Sequence, residues 1–237
     1  MTNPDQLSAS RAALSARIEA VIGAGEIDRL DEALTHASFA NESGAPDNQR
    51  LEFLGDAVLG ICVSEMLVAA HGAADEGKLT RMRAALVNAE ALAEWARRIG
   101  LGECIALGRG ATLGLEREQT NVLADTVEAI VAAVYEARGL NGARALVREV
   151  VSHRFEKAEA FAMPDPKSAL QEWVQADGLP APTYRVVELR GAPHEQVFEV
   201  EVYLGDRPVA RGEGRSKRLA ERAAAVAALA QLTSANA

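Results

Sequence analysis

Two pairs of acidic residues stand at helical spacing in stretches that are otherwise apolar. Glu52 and Asp56 are four residues apart, and Asp125 and Glu128 are three apart, so each pair lies on one side of a helix. Burying such carboxylates without a partner would cost several kcal/mol per group or force protonation. If the two helices pack together, the four acids converge, and a hard divalent cation held through oxygens, such as Mg²⁺, is the natural way to neutralise them.

The chemistry open to a carboxylate-held Mg²⁺ is limited. Such an ion lowers the pKa of water and stabilises charge on phosphoryl oxygens. A di-iron centre would need Glu-x-x-His motifs, and neither stretch supplies a histidine. The chain also has no G-x-x-x-x-G-K-[ST] nucleotide loop and no G-x-S-x-G motif. Phosphodiester hydrolysis is therefore the reaction to weigh against what the rest of the chain binds.

The elements that carry the acids belong to a helical N-terminal part. The first pair falls on a predicted helix from 48 to about 67 and the second on one over 121–135, both apolar on most faces, which is typical of central helices. Further helices are predicted over 10–22, 30–39, 79–99 and 142–159, after a loose N-terminus over 1–9. Because nothing before Met163 alternates with the period of a strand, we predict an all-α domain over 10–162.

The pattern changes after a linker predicted at 163–167, which contains Pro164 and Pro166. A short helix over 167–176 precedes alternating stretches at 183–189, 197–204 and 207–212 that are typical of strands. An alanine-rich helix follows over 216–232. The order α-β-β-β-α predicts a small α+β domain over 168–233.

This second domain has features that suit duplex RNA, whose wide minor groove calls for polar side chains and whose phosphates call for cations. Gln171 and Gln175, one turn apart, are candidates for a first minor-groove contact, and His194 in the loop between two strands for a second. The start of the last helix combines basic side chains with the positive end of the helix dipole, at Arg215, Ser216, Lys217 and Arg218. The overall net charge of -9 hides this local basic footprint.

The composition is that of a soluble globular protein. Of 237 residues, 49% are hydrophobic and 25% charged, and we find no apolar run of membrane-span length. The polar first ten residues lack a signal-peptide core, so we expect a cytoplasmic protein without a membrane partner. Cys62 and Cys104 have no metal-ligand spacing and are expected to be buried thiols.

Taken together, these residues resemble bacterial ribonuclease III. The stretch NQRLEFLGD over 48–56 looks like the signature of that family, and DEG at 75–77 and LADTVEA at 123–129 follow in the same order. The C-terminal part resembles the family's double-stranded RNA-binding domain, with LQE at 170–172, PTY at 182–184 and AERAA at 220–224. The resemblance covers roughly residues 10–233.

The resemblance implies a site for each of the acids. Glu52, Asp125 and Glu128 would be ligands of Mg²⁺, for which Mn²⁺ could substitute. Asp56 and Glu128 would be the catalytic residues, and Glu76 matches a further acid near the cleft. The implied activity is endonucleolytic cleavage of double-stranded RNA that leaves staggered ends with 5′-phosphates and 3′-hydroxyls, in the processing of ribosomal, messenger and transfer RNA precursors.

The resemblance also implies a homodimer, in which Phe53 inserts into the partner subunit; packing in the chain's own core is the alternative for that residue. One departure is Gln49, where many members carry Glu, so a second metal site would be less well supplied with charge. Two other functions stay open at this point. One is a catalytically silent dimeric RNA-binding protein, and the other is a DNA nuclease, which the minor-groove contacts of the second domain disfavour.

Overall fold

The computed structural model describes residues 4–110, 116–161, 165–191 and 196–235. The chain divides into two compact units, Met1–Ala162 and Met163–Ala237. The first unit is helical, and the second is a three-stranded antiparallel sheet flanked by helices. The predicted fold class, an all-α domain followed by a small α-β-β-β-α domain, is confirmed.

The described secondary structure of the first unit consists of α-helices, two short 3₁₀ turns at Leu101–Cys104 and Glu116–Glu118, and one isolated parallel bridge between Thr35 and Ala106. The helices are α1 (Pro4–Ile22), α2 (Leu30–Ala33), α3 (Ala37–Ser43), α4 (Gln49–Ala70), α5 (Glu76–Val87), α6 (Ala89–Arg98), α7 (Thr120–Phe155) and α8 (Ala158–Phe161).

Helices α4 and α7 form the centre of this unit. Leu51, Leu59 and Leu67 of α4 are buried in the same core as Ile130 and Val134 of α7. Each such side chain stabilises the fold by about 1.5–3 kcal/mol on burial. Among the described helices, α4 is the one that is long and apolar enough to cross a membrane by length and composition. Packing against α7 accounts for its buried apolar residues, as is typical of a helix at the centre of a domain.

Three predicted helix boundaries were wrong. Helix α1 begins at Pro4, so residues 4–9 are helical and not loose; proline is accepted in a first turn because its missing N–H would have no partner there. The single helix predicted over 79–99 is broken at Asn88, which is extended and accepts a hydrogen bond from the Ala91 N–H at 2.9 Å as the cap of α6. The predicted helix over 30–39 is two short helices separated by residues 34–36, of which His36 is extended.

The C-terminal half of the first unit also differs from the prediction. The helices expected over 121–135 and 142–159 are replaced by a single run, α7, which ends at Phe155, before α8 begins at Ala158, and is interrupted at Gly139 by a backbone with φ of 63°. Glycine adopts this conformation without the steric penalty that a side chain would bring. Cys62 and Cys104 are buried free thiols, as expected.

The second unit contains α9 (Pro166–Ala176), β1 (Pro182–Arg190), β2 (Val197–Leu204), β3 (Arg207–Gly214) and α10 (Lys217–Ala235), in the strand order β1-β2-β3. Because α9 begins at Pro166, with the Asp165 side chain accepting from the Lys167 N–H at 3.0 Å, residues 166 and 167 belong to a helix and not to a linker. Its core is formed by one face of the sheet and the two helices.

Candidate functional site

Three of the predicted acids meet where α4 and α7 pack together. Glu52 of α4 and Asp125 and Glu128 of α7 each offer one carboxylate oxygen, and these oxygens all lie within 4.8 Å of one another. All three side chains are partly buried. The convergence of two acidic helices that the sequence predicted is therefore present for these three residues.

Burial raises the pKa values of these carboxylates, and mutual repulsion adds to the effect at Glu52 and Glu128. Burial, together with the charges of Asp56, Asp125 and Glu52, raises the pKa of Glu128 to about 8. Burial and the neighbouring acids, Asp125 first among them, also raise the pKa of Glu52. Burial raises the pKa of Asp125, and the charge of His36 lowers it in part. These shifts favour the protonated form of Glu128 at neutral pH.

The donor set fits a hard divalent cation. Three carboxylates are oxygen ligands of the kind that Mg²⁺ and Mn²⁺ prefer, and Mg²⁺ commonly completes its shell with water. Within the described residues, no Lys or Arg lowers the pKa of any of the three carboxylates. A cation held at this position would remove the repulsion that now favours protonation of Glu128.

Other residues that the sequence singled out lie around this cluster. Asp56 is exposed and outside the group of three, but its charge raises the pKa of both Glu52 and Glu128. Gln49 is exposed at the first turn of α4. Glu76, in the first turn of α5, is likewise outside the group, and its carboxylate accepts a hydrogen bond from the Thr80 hydroxyl at 2.9 Å.

The start of α4 is fixed by the segment 34–36 between α2 and α3. Asn48 is buried and donates its backbone N–H to the Thr35 carbonyl at 2.9 Å. The next residue, His36, donates its backbone N–H to the Ala106 carbonyl at 3.1 Å, while its Nδ1 accepts from the Ser38 N–H at 3.2 Å. This segment thereby joins the N-terminus of α4 to the residues around 106.

Sequence reasoning missed the part played by His36. Among the described residues, its imidazole is the one group that lowers the pKa of Asp125. Nothing in the spacing of residues 36 and 125 connects them, since their proximity results from packing between distant segments. The Thr-x-x-Ser context of the histidine indicated a turn but gave no sign of a neighbour on α7.

Phe53 follows Glu52 in the signature stretch, yet its side chain is 84% exposed. Packing in the chain's own core, the alternative for this residue, is therefore excluded. Ile61 and Val68, farther along α4, are also exposed, at 49% and 61%. Exposed apolar side chains grouped on one helix are typical of surfaces that bind another molecule.

In the second unit, the predicted RNA contacts lie at two places. Gln171 and Gln175 are exposed on α9, one turn apart, while Leu170 and Val174 of the same helix face the core. His194 lies outside the described residues.

The predicted basic cluster stands at the start of α10. Arg215, Lys217 and Arg218 are exposed, and the Ser216 hydroxyl accepts a hydrogen bond from the Leu219 N–H at 3.3 Å. Lys217 approaches Glu221 at 4.0 Å, whereas Arg215 and Arg218 have no ion-pair partner within the described parts of the chain. Cations here share the N-terminal end of a long helix, where the dipole favours an anion.

A partly buried cluster of carboxylates between two central helices, joined in one chain to a small domain whose last helix has a basic start, is typical of a nuclease with its own nucleic-acid-binding domain. Comparison with known families agrees with this class. Residues 26–154 match the family described as Ribonuclease-III-like, and residues 166–232 match the double-stranded RNA binding motif. The chain belongs to the ribonuclease III family of double-stranded RNA endonucleases.

Individual relatives give the same result. The chain is 47% identical to Ribonuclease 3 of Cereibacter sphaeroides over 207 residues, which is 87% of this chain and 90% of that protein. It is 45% identical to Ribonuclease 3 of Phenylobacterium zucineum over 219 residues, covering 91% and 92% of the two chains. Among solved structures, the nuclease domain of ribonuclease III from Campylobacter jejuni matches 59% of this chain and 97% of its own, with 33% identity and a TM-score of 0.54.

Proposed function

We propose that this protein hydrolyses double-stranded RNA with Mg²⁺ as its cofactor and leaves staggered ends with 5′-phosphates and 3′-hydroxyls. The observation that supports the cofactor is the cluster of Glu52, Asp125 and Glu128, whose oxygens lie within 4.8 Å of one another. When bound there, a divalent cation lowers the pKa of water and stabilises charge on phosphoryl oxygens.

The positions of the chain's own acids support the following assignment of roles. Glu52, Asp125 and Glu128 would hold the cation, because their carboxylates are close together and no Lys or Arg among the described residues lowers their pKa values. Asp56 is exposed one turn after Glu52, so it can face both the cluster and bound RNA, and we assign it to orienting the attacking water. Glu76 is assigned as an accessory acid on the resemblance alone.

We further propose that the active form is a homodimer joined through the exposed side of α4. Phe53, at 84% exposure, would be buried in the partner subunit, which removes an unfavourable contact with water. The Campylobacter jejuni nuclease domain is described as having a region involved in dimer formation.

The second unit would bind the substrate. Gln171 and Gln175 of α9, together with His194, are proposed minor-groove contacts, and the start of α10 would contact phosphates across the major groove. The four residues at that start are Arg215, Ser216, Lys217 and Arg218. We expect a cytoplasmic enzyme that processes ribosomal, messenger and transfer RNA precursors.

The experiment that tests this function combines cleavage with end-group analysis. Long duplex RNA is incubated with the full chain and Mg²⁺, beside the Asp56→Asn variant and a reaction with EDTA. We expect short duplexes with 5′-phosphates and 3′-hydroxyls from the wild type only. Cyclic phosphates would show attack by the RNA's own 2′-hydroxyl, and equal cleavage in EDTA would remove the metal from the reaction.

The same assay separates the two other functions. Binding of duplex RNA without cleavage, by wild type and variant alike, would indicate a catalytically silent RNA-binding protein. Cleavage of a B-form DNA duplex of the same sequence at a comparable rate would indicate a DNA nuclease.

A further inference from the structure

Helices α4 and α7 pack tightly beside the acidic cluster, at Gly55. This residue is buried and helical, one turn after Glu52 and next to Asp56. A Cβ atom placed on Gly55 would lie 1.8 Å from the carbonyl oxygen of Glu128 and 2.4 Å from its carbonyl carbon. The Cβ atom would therefore clash with the backbone of α7, which cannot relieve the clash by a rotamer change as a side chain could.

The other glycine of α4 gives a direct comparison. A Cβ atom on Gly60 would meet nothing within 4 Å. Glycine in a helix interior lowers stability relative to alanine, so each glycine of α4 needs a compensating reason. The structure supplies one at Gly55, where only a residue without Cβ lets the two backbones touch, and none at Gly60.

The separation that a side chain would force is large on the scale of metal coordination. Moving the Cβ from 1.8 Å to an ordinary contact of 3.4 Å requires the helices to part locally by about 1.6 Å. Two oxygens bound to one Mg²⁺ lie at most about 4.2 Å apart, since each bond is about 2.1 Å. The carboxylate oxygens lie within 4.8 Å of one another, and a further separation of that size would move Glu52 out of reach of an ion held by Asp125 and Glu128.

We propose that Gly55 is a positioning residue of the active site, which sets the distance between α4 and α7 so that Glu52 can bind the same cation as Asp125 and Glu128. Gly55 itself touches neither metal nor RNA and acts through the backbone of Glu128. This inference rests on the proposed function, because it takes the cation as the ligand of the cluster.

The test measures metal binding without RNA and without catalysis. Full-length wild type and variants are titrated with Mn²⁺, and free Mn²⁺ is followed by electron paramagnetic resonance at 10 °C. Thermal unfolding of each metal-free variant is recorded by circular dichroism. The variants are Gly55→Ala, the matched control Gly60→Ala, and Leu59→Ala, which destabilises the same helix by removing buried atoms without pushing it away from α7.

We expect Gly55→Ala to weaken Mn²⁺ binding by about tenfold or more, the range seen when residues that orient metal ligands are changed. Gly60→Ala and Leu59→Ala should bind Mn²⁺ within about threefold of wild type, although Leu59→Ala melts at a lower temperature. Unchanged affinity in Gly55→Ala would overturn the inference, as would an equal loss in Leu59→Ala. A Gly55→Ala chain with no cooperative unfolding transition would also overturn it, because Gly55 would then be needed by the whole fold and not by the site.

A Glu128→Gln variant distinguishes this failure from failure of the proposed function. If wild type and Glu128→Gln bind Mn²⁺ equally, the cluster is not the metal site, and both proposals fall. If Glu128→Gln loses binding while Gly55→Ala keeps it, the metal site stands and only the positioning role of Gly55 is rejected.

Discussion

Replacing Glu128 with glutamine should stabilise the metal-free protein at neutral pH, even though it destroys a metal ligand. Burial and three neighbouring acids raise the pKa of Glu128 from 4.5 to about 8. Between these values the folded protein holds a proton that the unfolded chain has released. Folding therefore takes up a proton, and the free energy of unfolding falls as pH rises through this window.

The size of the effect follows from the linkage of proton binding to folding. One proton taken up on folding changes the free energy of unfolding by about 1.4 kcal/mol per pH unit. In EDTA, the wild type should therefore lose up to about 3 kcal/mol of stability between pH 5.5 and pH 7.5 through this group. The raised pKa values of Glu52 and Asp125 act in the same direction.

Urea denaturation in EDTA at pH 5.5, 6.5 and 7.5 measures the effect. Glu128→Gln should show a smaller loss of stability with pH than wild type and should be the more stable of the two at pH 7.5. Glu65→Gln, on the same helix, is the matched control and should not reduce the loss, because Arg144 holds the pKa of Glu65 below its usual range. Equal pH dependence in wild type and Glu128→Gln would refute the assignment of Glu128 as a strained, partly buried acid.

Four further predictions concern the metal, the catalytic acid, the dimer and the RNA-binding surface. Adding saturating Mn²⁺ at pH 7 should release close to one proton per subunit, seen by calorimetry in buffers of different ionisation enthalpy; no release would show that Glu128 is already ionised. Asp56→Asn should lower the cleavage rate by about a hundredfold or more at unchanged RNA affinity, and wild-type cleavage would remove its catalytic role. Phe53→Ala should raise the dimer dissociation constant, measured by analytical ultracentrifugation, by about tenfold or more. The stability of the monomer should not fall, because this side chain is 84% exposed. An unchanged dissociation constant would place the interface elsewhere. Arg218→Ala should weaken duplex RNA binding and reduce the slope of log affinity against log salt by about one. The control Arg211→Ala should leave the slope unchanged, because Arg211 pairs with Glu199 and Glu201 on the sheet. Equal slopes for wild type and Arg218→Ala would exclude Arg218 as a phosphate contact.

Much of the site could be predicted because acids at helical spacing in apolar stretches need a counter-charge, which indicates a cation site. Glu52, Asp125 and Glu128 were expected together for that reason, and they lie together. The strands of the second unit were predicted to within two residues at each end, since their alternation and their turn at Gly205 are local signals. Features that depend on neighbouring residues of the chain can therefore be predicted from the sequence.

The features that were missed depend on contacts between distant segments. The break at Asn88 looked like the middle of a helix, because apolar residues continue at helical spacing on both sides of it. The influence of His36 on Asp125 and the backbone contact at Gly55 arise only when α7 packs against its neighbours. A glycine inside an apolar helix indicates a close packing contact, but the sequence does not show which segment makes that contact.

Diffraction from crystals soaked in Mn²⁺, recorded at the manganese absorption edge, tests most directly whether the three acids share one cation. We predict an anomalous peak within about 2.3 Å of carboxylate oxygens from Glu52, Asp125 and Glu128. A peak at another position, or no peak at this cluster in crystals that hold millimolar Mn²⁺, would contradict the metal-dependent site on which the proposed function depends.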